Sequence, residues 1–252
     1  DLVRSRGLGD VYKRQTYIRR LRCIYNKAVE NGDAEYIPGL FQGVFTGVES
    51  KRKKSLSLEN QHKLMTVKVE SEVLRETQLV VCLLFQYAGM SFVDFAHLKE
   101  RNIKNGILDY NRQKTGTPMR LEILDTAELM RKELMGDKKP ASGYLFPFLS
   151  GTKTGYEAYL EYNAALSRFN RNLKALKKAA GIASDVTSYT IRHSFAMALK
   201  EQNVPIEMIS ELLGHKSIKT TQIYLRSFSL EKMTEVNSTC FGCVYNYVSK
   251  VG

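Results

Sequence analysis

The chain has 252 residues, of which 43% are hydrophobic and 25% charged, a composition typical of a globular protein with a buried core. No stretch reaches the roughly 18 consecutive apolar residues that a transmembrane helix needs, which argues against a membrane-spanning protein. Lysine and arginine outnumber aspartate and glutamate by 38 to 26, a formal net charge of +12, which favours a polyanionic partner such as nucleic acid over a membrane surface.

The cysteines and the first residues indicate the compartment. Cys23, Cys82, Cys240 and Cys243 are too few for a disulfide framework in a chain of this length. The last two form a single C-x-x-C, with neither a second pair nor a nearby histidine to complete a zinc site. Because the charged first residues also lack a secretory signal's apolar segment, we expect a cytoplasmic protein with reduced thiols and no metal or other cofactor.

The N-terminal part reads as a tail, a helix and a basic segment. Residues 1–15 show no helical or strand periodicity and resemble a translated sequencing-adapter tail, so we expect native sequence to begin near Thr16; a frayed native terminus is the alternative. Residues 16–32 predict an amphipathic helix, and residues 37–48 predict a loop. The run that follows is either exposed and solvated or part of a linker over residues 51–56 that lies on phosphate groups: Lys51, Arg52, Lys53, Lys54.

The middle of the chain changes from helix to strand and back. Ser57 is the predicted N-cap of one helix, and further helices are predicted over residues 71–87 and 92–98. Turn signals at residues 105–106 and 114–116, with alternating apolar residues, predict a three-stranded meander that carries Lys114 at its second turn. Helices resume over residues 126–135 and, after a loop over residues 140–155, over residues 156–180.

The C-terminal part is predicted to be helical over residues 190–200, 205–213, 217–226 and 230–235, which makes the fold mainly α with a small antiparallel three-stranded sheet. In the first of these helices Ile191, Phe195 and Ala198 form the predicted buried stripe, with Arg192 on another face. His215 follows the next helix in an LGH sequence, and Tyr224 comes nine residues later. Each residue alone is a weak signal, because surface arginines and half-buried tyrosines are common.

Together, the RHSFA segment, the LGH segment and the tyrosine closely resemble the tyrosine recombinase (phage integrase) family. AGMSFVDFAHLKERNI resembles the start of its catalytic domain, and NRQKTG resembles the hairpin with its catalytic lysine, here Lys114. The GMSFVD segment is typical of integrases of Bacteroides-type mobile elements. The resemblance implies the DNA breaking-rejoining fold, with residues 57–252 as the catalytic domain and residues 16–50 as the end of a helical core-binding domain, in an N-terminally truncated chain.

The resemblance implies site-specific DNA recombination. Tyr224 would attack a phosphodiester, form a 3′-phosphotyrosyl bond and release a 5′-hydroxyl, so that rejoining needs neither ATP nor metal. A phenol with a pKa near 10 is rarely ionised at neutral pH and therefore needs a proton acceptor and a cationic site. Arg192 would bind the non-bridging phosphate oxygens, His215 would donate to them, and Lys114 would protonate the departing 5′-oxygen.

Two positions depart from the family pattern. Ser91 stands where the family normally has its first catalytic arginine, and Ala88 stands where related sequences often carry one. Arg112, Arg101 and Arg120 are the candidates to supply the missing cation. A second departure is at the position three residues before the motif arginine, where many members have histidine and this chain has Tyr189. We expect Asp94 to organise nearby cations and His193 to give structural support.

The expected partner is double-stranded DNA, with assembly as a homotetramer on paired sites and a role for accessory DNA-bending proteins. Residues 230–252 are either a helix exchanged between neighbouring copies or a self-packed tail. Two other functions stay open: a catalytically impaired, DNA-binding integrase remnant, and a type IB topoisomerase-like enzyme. The predicted DNA contacts, for which a merely solvated basic surface is the alternative, are Lys51, Arg52, Lys53, Lys54, Arg112, Arg168, Arg171 and Lys174.

Overall fold

The computed structural model describes residues 2–42, 55–140, 143–225 and 233–239, without the side chains of residues 2–15, 223 and 224. The chain divides into two compact units, Asp1–Arg52 and Lys53–Gly252. The basic run of residues 51–54 lies outside the described residues, so its linker role and its phosphate contacts remain predictions.

The first unit consists of one long helix, α1 (Leu2–Asn31), followed by an irregular segment. Residues 2–15 lie within this helix although they show no apolar periodicity, because a helix already nucleated can extend through such residues. Their origin as a non-native tail remains a prediction. The helix ends where predicted, at Gly32 with a φ of 82°. Beyond it, the Tyr25 hydroxyl donates to the Glu35 carbonyl and accepts from the Ile37 amide, which holds the segment against α1.

In the second unit, the predicted helices are confirmed with shifts of a few residues at their ends. Residues 233–239 are also helical and overlap the predicted helix of residues 230–235, and residues 226–232 lie outside the description. The helices are α2 (Leu58–Thr66), α3 (Glu72–Gln86), α4 (Phe92–Ala96), a 3₁₀ turn (Glu100–Asn102), α5 (Asp125–Met135), α6 (Gly155–Ala179), α7 (Ser188–Glu201), α8 (Ile206–Leu212) and α9 (Ile218–Tyr224).

Local sequence explains where several of these helices begin and end. Ser57 caps α2 by accepting a hydrogen bond from the Asn60 amide, and Ser91 does the same for α4 with the Asp94 amide. The strongly apolar α3 is buried through most of its length. Beyond its end, Ala88 and Gly89 both have positive φ angles, 56° and 64°, which turn the chain sharply into α4.

The predicted three-stranded meander is confirmed. Strands β1 (Ile103–Lys104), β2 (Ile107–Asn111) and β3 (Pro118–Glu122) form an antiparallel sheet in chain order. Asn105 and Gly106 both have positive φ, as a two-residue hairpin turn requires. The second turn, between β2 and β3, carries Lys114.

The main core lies between the sheet and helices α3 to α6. Its centre contains two stacked aromatic pairs, Phe92 with Phe169 at 4.6 Å and Phe95 with Phe146 at 4.1 Å between ring centroids. Within the described part of the chain, no helix has the length and apolar content to cross a membrane.

Helix α7 is buried on more sides than its sequence indicates. Ile191 is buried as predicted, but Phe195 and Ala198 are only half-buried, whereas Arg192 and His193 are 3% and 5% exposed. The predicted stripe was therefore wrong in part, because α7 contacts α2, α3, α6, α8 and α9 and has no single solvent-facing side.

Candidate active site

A small cavity of about 70 Å³ lies where α4, the β2–β3 hairpin, α6 and α7 meet. Its lining includes four of the residues that the sequence analysis assigned to catalysis, Ser91, Lys114, Tyr189 and Arg192, together with the arginine candidate Arg112. The remaining lining residues are Phe92, Val93, Tyr162, Leu166 and Ser188. Segments far apart in sequence thus bring basic and hydroxyl groups to one concave site.

The guanidinium of Arg192 is held by backbone carbonyls. Its Nη1 donates to the Gly89 carbonyl at 2.8 Å, and its Nη2 donates to the Leu213 carbonyl. Nη2 also lies 3.4 Å from Nε2 of His215. Carbonyls from two loops therefore fix the plane of this buried cation.

His215 lies beside Arg192, as the sequence analysis expected. Its backbone amide donates to the Ser210 carbonyl at 2.9 Å, which continues the end of α8 into the loop. On the other side of the ring, Nδ1 is hydrogen-bonded to the Thr221 hydroxyl at 2.8 Å. Thr221 is completely buried on α9 and so fixes the imidazole between two helices.

Tyr224 is the last residue of α9, three residues after Thr221. The helix that carries the predicted nucleophile is thus attached to His215 through the Thr221 hydroxyl. The side chain of Tyr224 lies outside the description, so its entry into the cavity remains a prediction.

Arg112 is the one of the three arginine candidates that lines this cavity; Arg101 and Arg120 are exposed and do not line it. Arg112 is buried, and its Nε lies 3.4 Å from Oδ2 of Asp94. Its Nη1 donates to the carbonyls of Leu213 and Gly214, each at 3.0 Å. Arg112 and Arg192 are thus held by the same carbonyl at the end of α8.

Asp94 organises this side of the site, as expected. One carboxylate oxygen accepts from the Ser91 hydroxyl at 2.6 Å and faces Arg112, while the other accepts from the Gln113 amide at 2.7 Å. The side chain is completely buried, so its charge is compensated by these donors and by the guanidinium. Ser91 lines the cavity, and its hydroxyl also serves to hold Asp94.

The Lys114 turn is well defined although the lysine itself is exposed. The Arg112 amide donates to the Thr117 carbonyl at 2.9 Å, and the Gly116 amide donates to the Arg112 carbonyl at 2.8 Å. The hydroxyls of Thr115 and Thr117 are also joined at 2.8 Å. These bonds present Lys114 at the rim of the cavity on an ordered tight turn.

Two tyrosines line the opposite wall, and the sequence analysis had singled out only one. Tyr189 is 51% exposed, with its ring 5.8 Å from that of His193. Tyr162 comes from α6 and was missed, because that helix was judged by its basic face. Burial, followed by the nearby Asp94 and Tyr189, raises the pKa of the Tyr162 phenol.

The basic face of α6 is separate from this cavity. Arg168, Arg171 and Lys174 are exposed on it. The last two border a shallow groove of about 600 Å³ that continues to residues 181–183 and contains Lys177 and Lys178 on the same side. Among the described residues, no group of three or more histidine, cysteine, aspartate or glutamate side chains could hold a metal ion.

Comparison with known proteins gives the same family at the level of sequence. Residues 54–231 match the model of the phage integrase family. The chain is 32% identical over 177 residues to tyrosine recombinase XerA of Pyrococcus furiosus, an alignment that covers 69% of this chain and 57% of that protein. It is 52% identical over 54 residues to tyrosine recombinase XerD of Lacticaseibacillus casei, covering 21% of this chain and 18% of the relative. The chain therefore spans less than two thirds of these relatives.

Solved structures show the same fold. The Tn1549 transposon integrase in complex with a circular intermediate DNA has a TM-score of 0.63 at 15% identity, covering 87% of this chain and 77% of that one. A lambda integrase tetramer bound to a Holliday junction has a TM-score of 0.56 at 20% identity, with coverages of 84% and 60%. The predicted fold, mainly α with a small three-stranded sheet, is confirmed.

Proposed function

This chain belongs to the phage integrase family, and we propose that it is a site-specific DNA recombinase that cleaves and rejoins strands through a 3′-phosphotyrosyl intermediate. The observation that carries the proposal is the meeting of Arg112, Lys114 and Arg192 at one cavity. The imidazole of His215 lies next to the last of these. A cationic, concave site of this kind suits a phosphodiester whose negative charge increases in the transition state.

Both arginines bring a guanidinium group to the cavity. Nη1 and Nη2 of Arg192 donate to the carbonyls of Gly89 and Leu213, which hold this guanidinium in place at the site. In Arg112, Nε and Nη1 donate to Asp94 and to the carbonyls of Leu213 and Gly214. Its Nη2 has no hydrogen-bond partner in the part of the chain that the structure describes, so it can donate to a phosphate oxygen. We therefore propose Arg112 as the second phosphate-binding cation in place of the arginine that Ser91 replaces.

The remaining roles follow the chemistry of the reaction. The Tyr224 phenol would lose its proton to water as its oxygen forms a bond to phosphorus and the bond from phosphorus to the 5′-oxygen breaks. His215 would donate to a non-bridging oxygen, and Lys114 would give its proton to the departing 5′-oxygen. Ser91 and Tyr189 would hydrogen-bond at the edges of the site. The phosphotyrosyl bond would keep the energy needed to join a second strand.

The proposed partner is double-stranded DNA, bound by a tetramer on paired sites, with accessory DNA-bending proteins. The net charge of +12 and the exposed basic face of α6 support a DNA surface. The Ser91-containing GMSFVD segment supports a place among integrases of Bacteroides-type mobile elements. We also propose that the protein acts in the cytoplasm. We further propose that residues 16–50 come from a core-binding domain. The proposed DNA-contacting residues are Lys51, Arg52, Lys53, Lys54, Arg112, Arg168, Arg171 and Lys174.

The direct test is trapping of the covalent intermediate. The substrate is a duplex from the joined ends of the encoding element, nicked beside the cleavage site so that the released fragment diffuses away. We expect an adduct on a denaturing gel that disappears in Tyr224→Phe and persists in Tyr36→Phe, a change of an exposed tyrosine in the first unit. Absence of the adduct would favour a DNA-binding remnant. Plasmid relaxation without sequence preference would favour a topoisomerase.

A further inference from the structure

We propose that Tyr162 is a further substrate-contacting residue of this site, whose phenolic hydroxyl donates a hydrogen bond to a non-bridging oxygen of the scissile phosphate. The inference rests on the proposed function and extends its set of residues. Tyr162 lines the same cavity as Arg112, Lys114 and Arg192, on the wall formed by α6.

The ring of Tyr162 is fixed by its neighbours. It lies 6.4 Å from the ring of Phe92 and 5.7 Å from that of His97, measured between centroids. The His97 ring is itself anchored by a hydrogen bond of 2.7 Å between Nδ1 and the Val93 carbonyl. The ring is thus part of the aromatic packing around α4, which leaves the hydroxyl as the polar group that Tyr162 offers.

That hydroxyl is available to a ligand. In the part of the chain whose side chains are described, it has no protein hydrogen-bond partner, and the residue is only half-buried. A phenol that borders a cationic cavity without a protein acceptor is suited to donate to an incoming anion.

The electrostatic surroundings keep this phenol protonated. Burial, Asp94 and Tyr189 all raise its pKa above the ordinary value of 10.0. Tyr162 is therefore a hydrogen-bond donor at neutral pH. A hydrogen bond to an anionic oxygen is among the stronger ones in proteins, and its loss corresponds to roughly ten- to hundredfold in an equilibrium or a rate.

The test compares Tyr162→Phe with Tyr159→Phe in the full chain. Both changes remove one hydroxyl from α6, but Tyr159 is 59% exposed and does not line the cavity. With the nicked duplex in single-turnover conditions, we expect adduct formation to be about ten- to hundredfold slower in Tyr162→Phe and unchanged in Tyr159→Phe. The melting temperature should stay the same in both, because phenylalanine keeps the ring packing.

Equal adduct rates in Tyr162→Phe and the unmodified chain would overturn the inference. If the unmodified chain forms no adduct, the proposed function fails, and affinity for the intact duplex then decides the inference separately. Weaker binding by Tyr162→Phe than by Tyr159→Phe would support the contact, and equal binding would refute it.

Discussion

Arg112 and Arg192 donate hydrogen bonds to the same backbone oxygen, that of Leu213. Leu213 is the C-cap of α8, where helix carbonyls have no partner within the helix and the helix dipole is negative. This acceptor offsets the repulsion between the two guanidinium groups. The two guanidinium groups are thus held in place by the protein itself, which is the preorganisation that the proposed binding of a phosphate requires.

If Arg112 binds the phosphate, replacing its planar fork should slow catalysis. Arg112→Lys keeps a positive charge near Asp94 but loses the Nη2 donor, so we expect adduct formation to fall by about a hundred- to thousandfold. The matched change is Arg120→Lys on β3, an exposed arginine outside the cavity, which should leave the rate unchanged. A large loss of rate in Arg120→Lys with none in Arg112→Lys would contradict the assignment to Arg112 and place the missing cation on β3.

If Lys114 is the general acid, as proposed, a better leaving group should rescue its replacement. Lys114→Ala should cleave a normal duplex about a hundred- to ten-thousandfold more slowly. A duplex with sulfur in place of the bridging 5′-oxygen should restore most of the rate, because a thiolate departs without a proton. Lys104→Ala, at the exposed first turn of the meander, serves as control and should cleave both substrates normally. If the sulfur substrate does not rescue Lys114→Ala, Lys114 does not act as the general acid and contributes to DNA binding instead.

Position 214 is predicted to accept only glycine without a loss of stability. Its φ is 59°, and an added Cβ would lie 2.7 Å from Cδ of Arg112 and closer still to Sδ of Met119. Gly181 after α6 has a similar φ of 66° but open space around its Cβ direction. Gly181→Ala should therefore show only the backbone penalty, about 1–2 kcal/mol, in urea unfolding. Gly214→Ala should lose more stability and also slow adduct formation, and equal losses would contradict this prediction.

Ser194 on α7 holds the segment before α2, at Leu56, against α7. Its hydroxyl donates to the Thr190 carbonyl at 2.8 Å and accepts from the buried Leu56 amide at 2.9 Å. Ser194→Ala leaves that amide without its acceptor, which should lower the free energy of unfolding by about 1–3 kcal/mol. Ser167→Ala, an exposed position on α6, should change it little. Identical urea midpoints for the two variants would exclude this role for the hydroxyl.

The buried thiol of Cys82 predicts a pH dependence. Burial raises its pKa from 9.0 to about 11, so the folded state retains the proton that the unfolded state loses. This group's contribution to stability is complete below pH 9 and should decrease as the pH rises toward 11. In labelling with iodoacetamide at pH 8, peptide mapping should find Cys23, which is exposed, modified well before Cys82. Equal labelling of the two in the folded protein would disagree with this burial.

The helices and the meander were predictable because their signals are local. The N-cap at Ser57 and the turn at Asn105 and Gly106 depend only on the backbone of adjacent residues. The burial of Arg192 was not predictable, since it depends on how several helices pack around α7. The role of Leu213 as a hydrogen-bond acceptor was not predictable either, because every residue type has a backbone carbonyl.

The motif residues were found more readily than the groups that hold them. Arg192 and His215 were recognised from sequence segments that resemble a family, and the structure places them side by side. Tyr162 lies on the inner face of α6, and only the basic face of that helix was considered in the sequence. Thr221, which orients His215, belongs to no motif and became visible only through its hydrogen bond.

Ser91 affects the charge balance of the site through Asp94. A neutral hydroxyl there leaves the carboxylate's charge to be met by a cation that arrives from the β2–β3 hairpin. Arg112 and Lys114 are two residues apart on that hairpin, and Asp94 also holds the amide between them. Any displacement of the hairpin would therefore withdraw the proposed phosphate-binding arginine and the proposed proton donor together, so that the proposed strand cleavage would be switched on or off as one event.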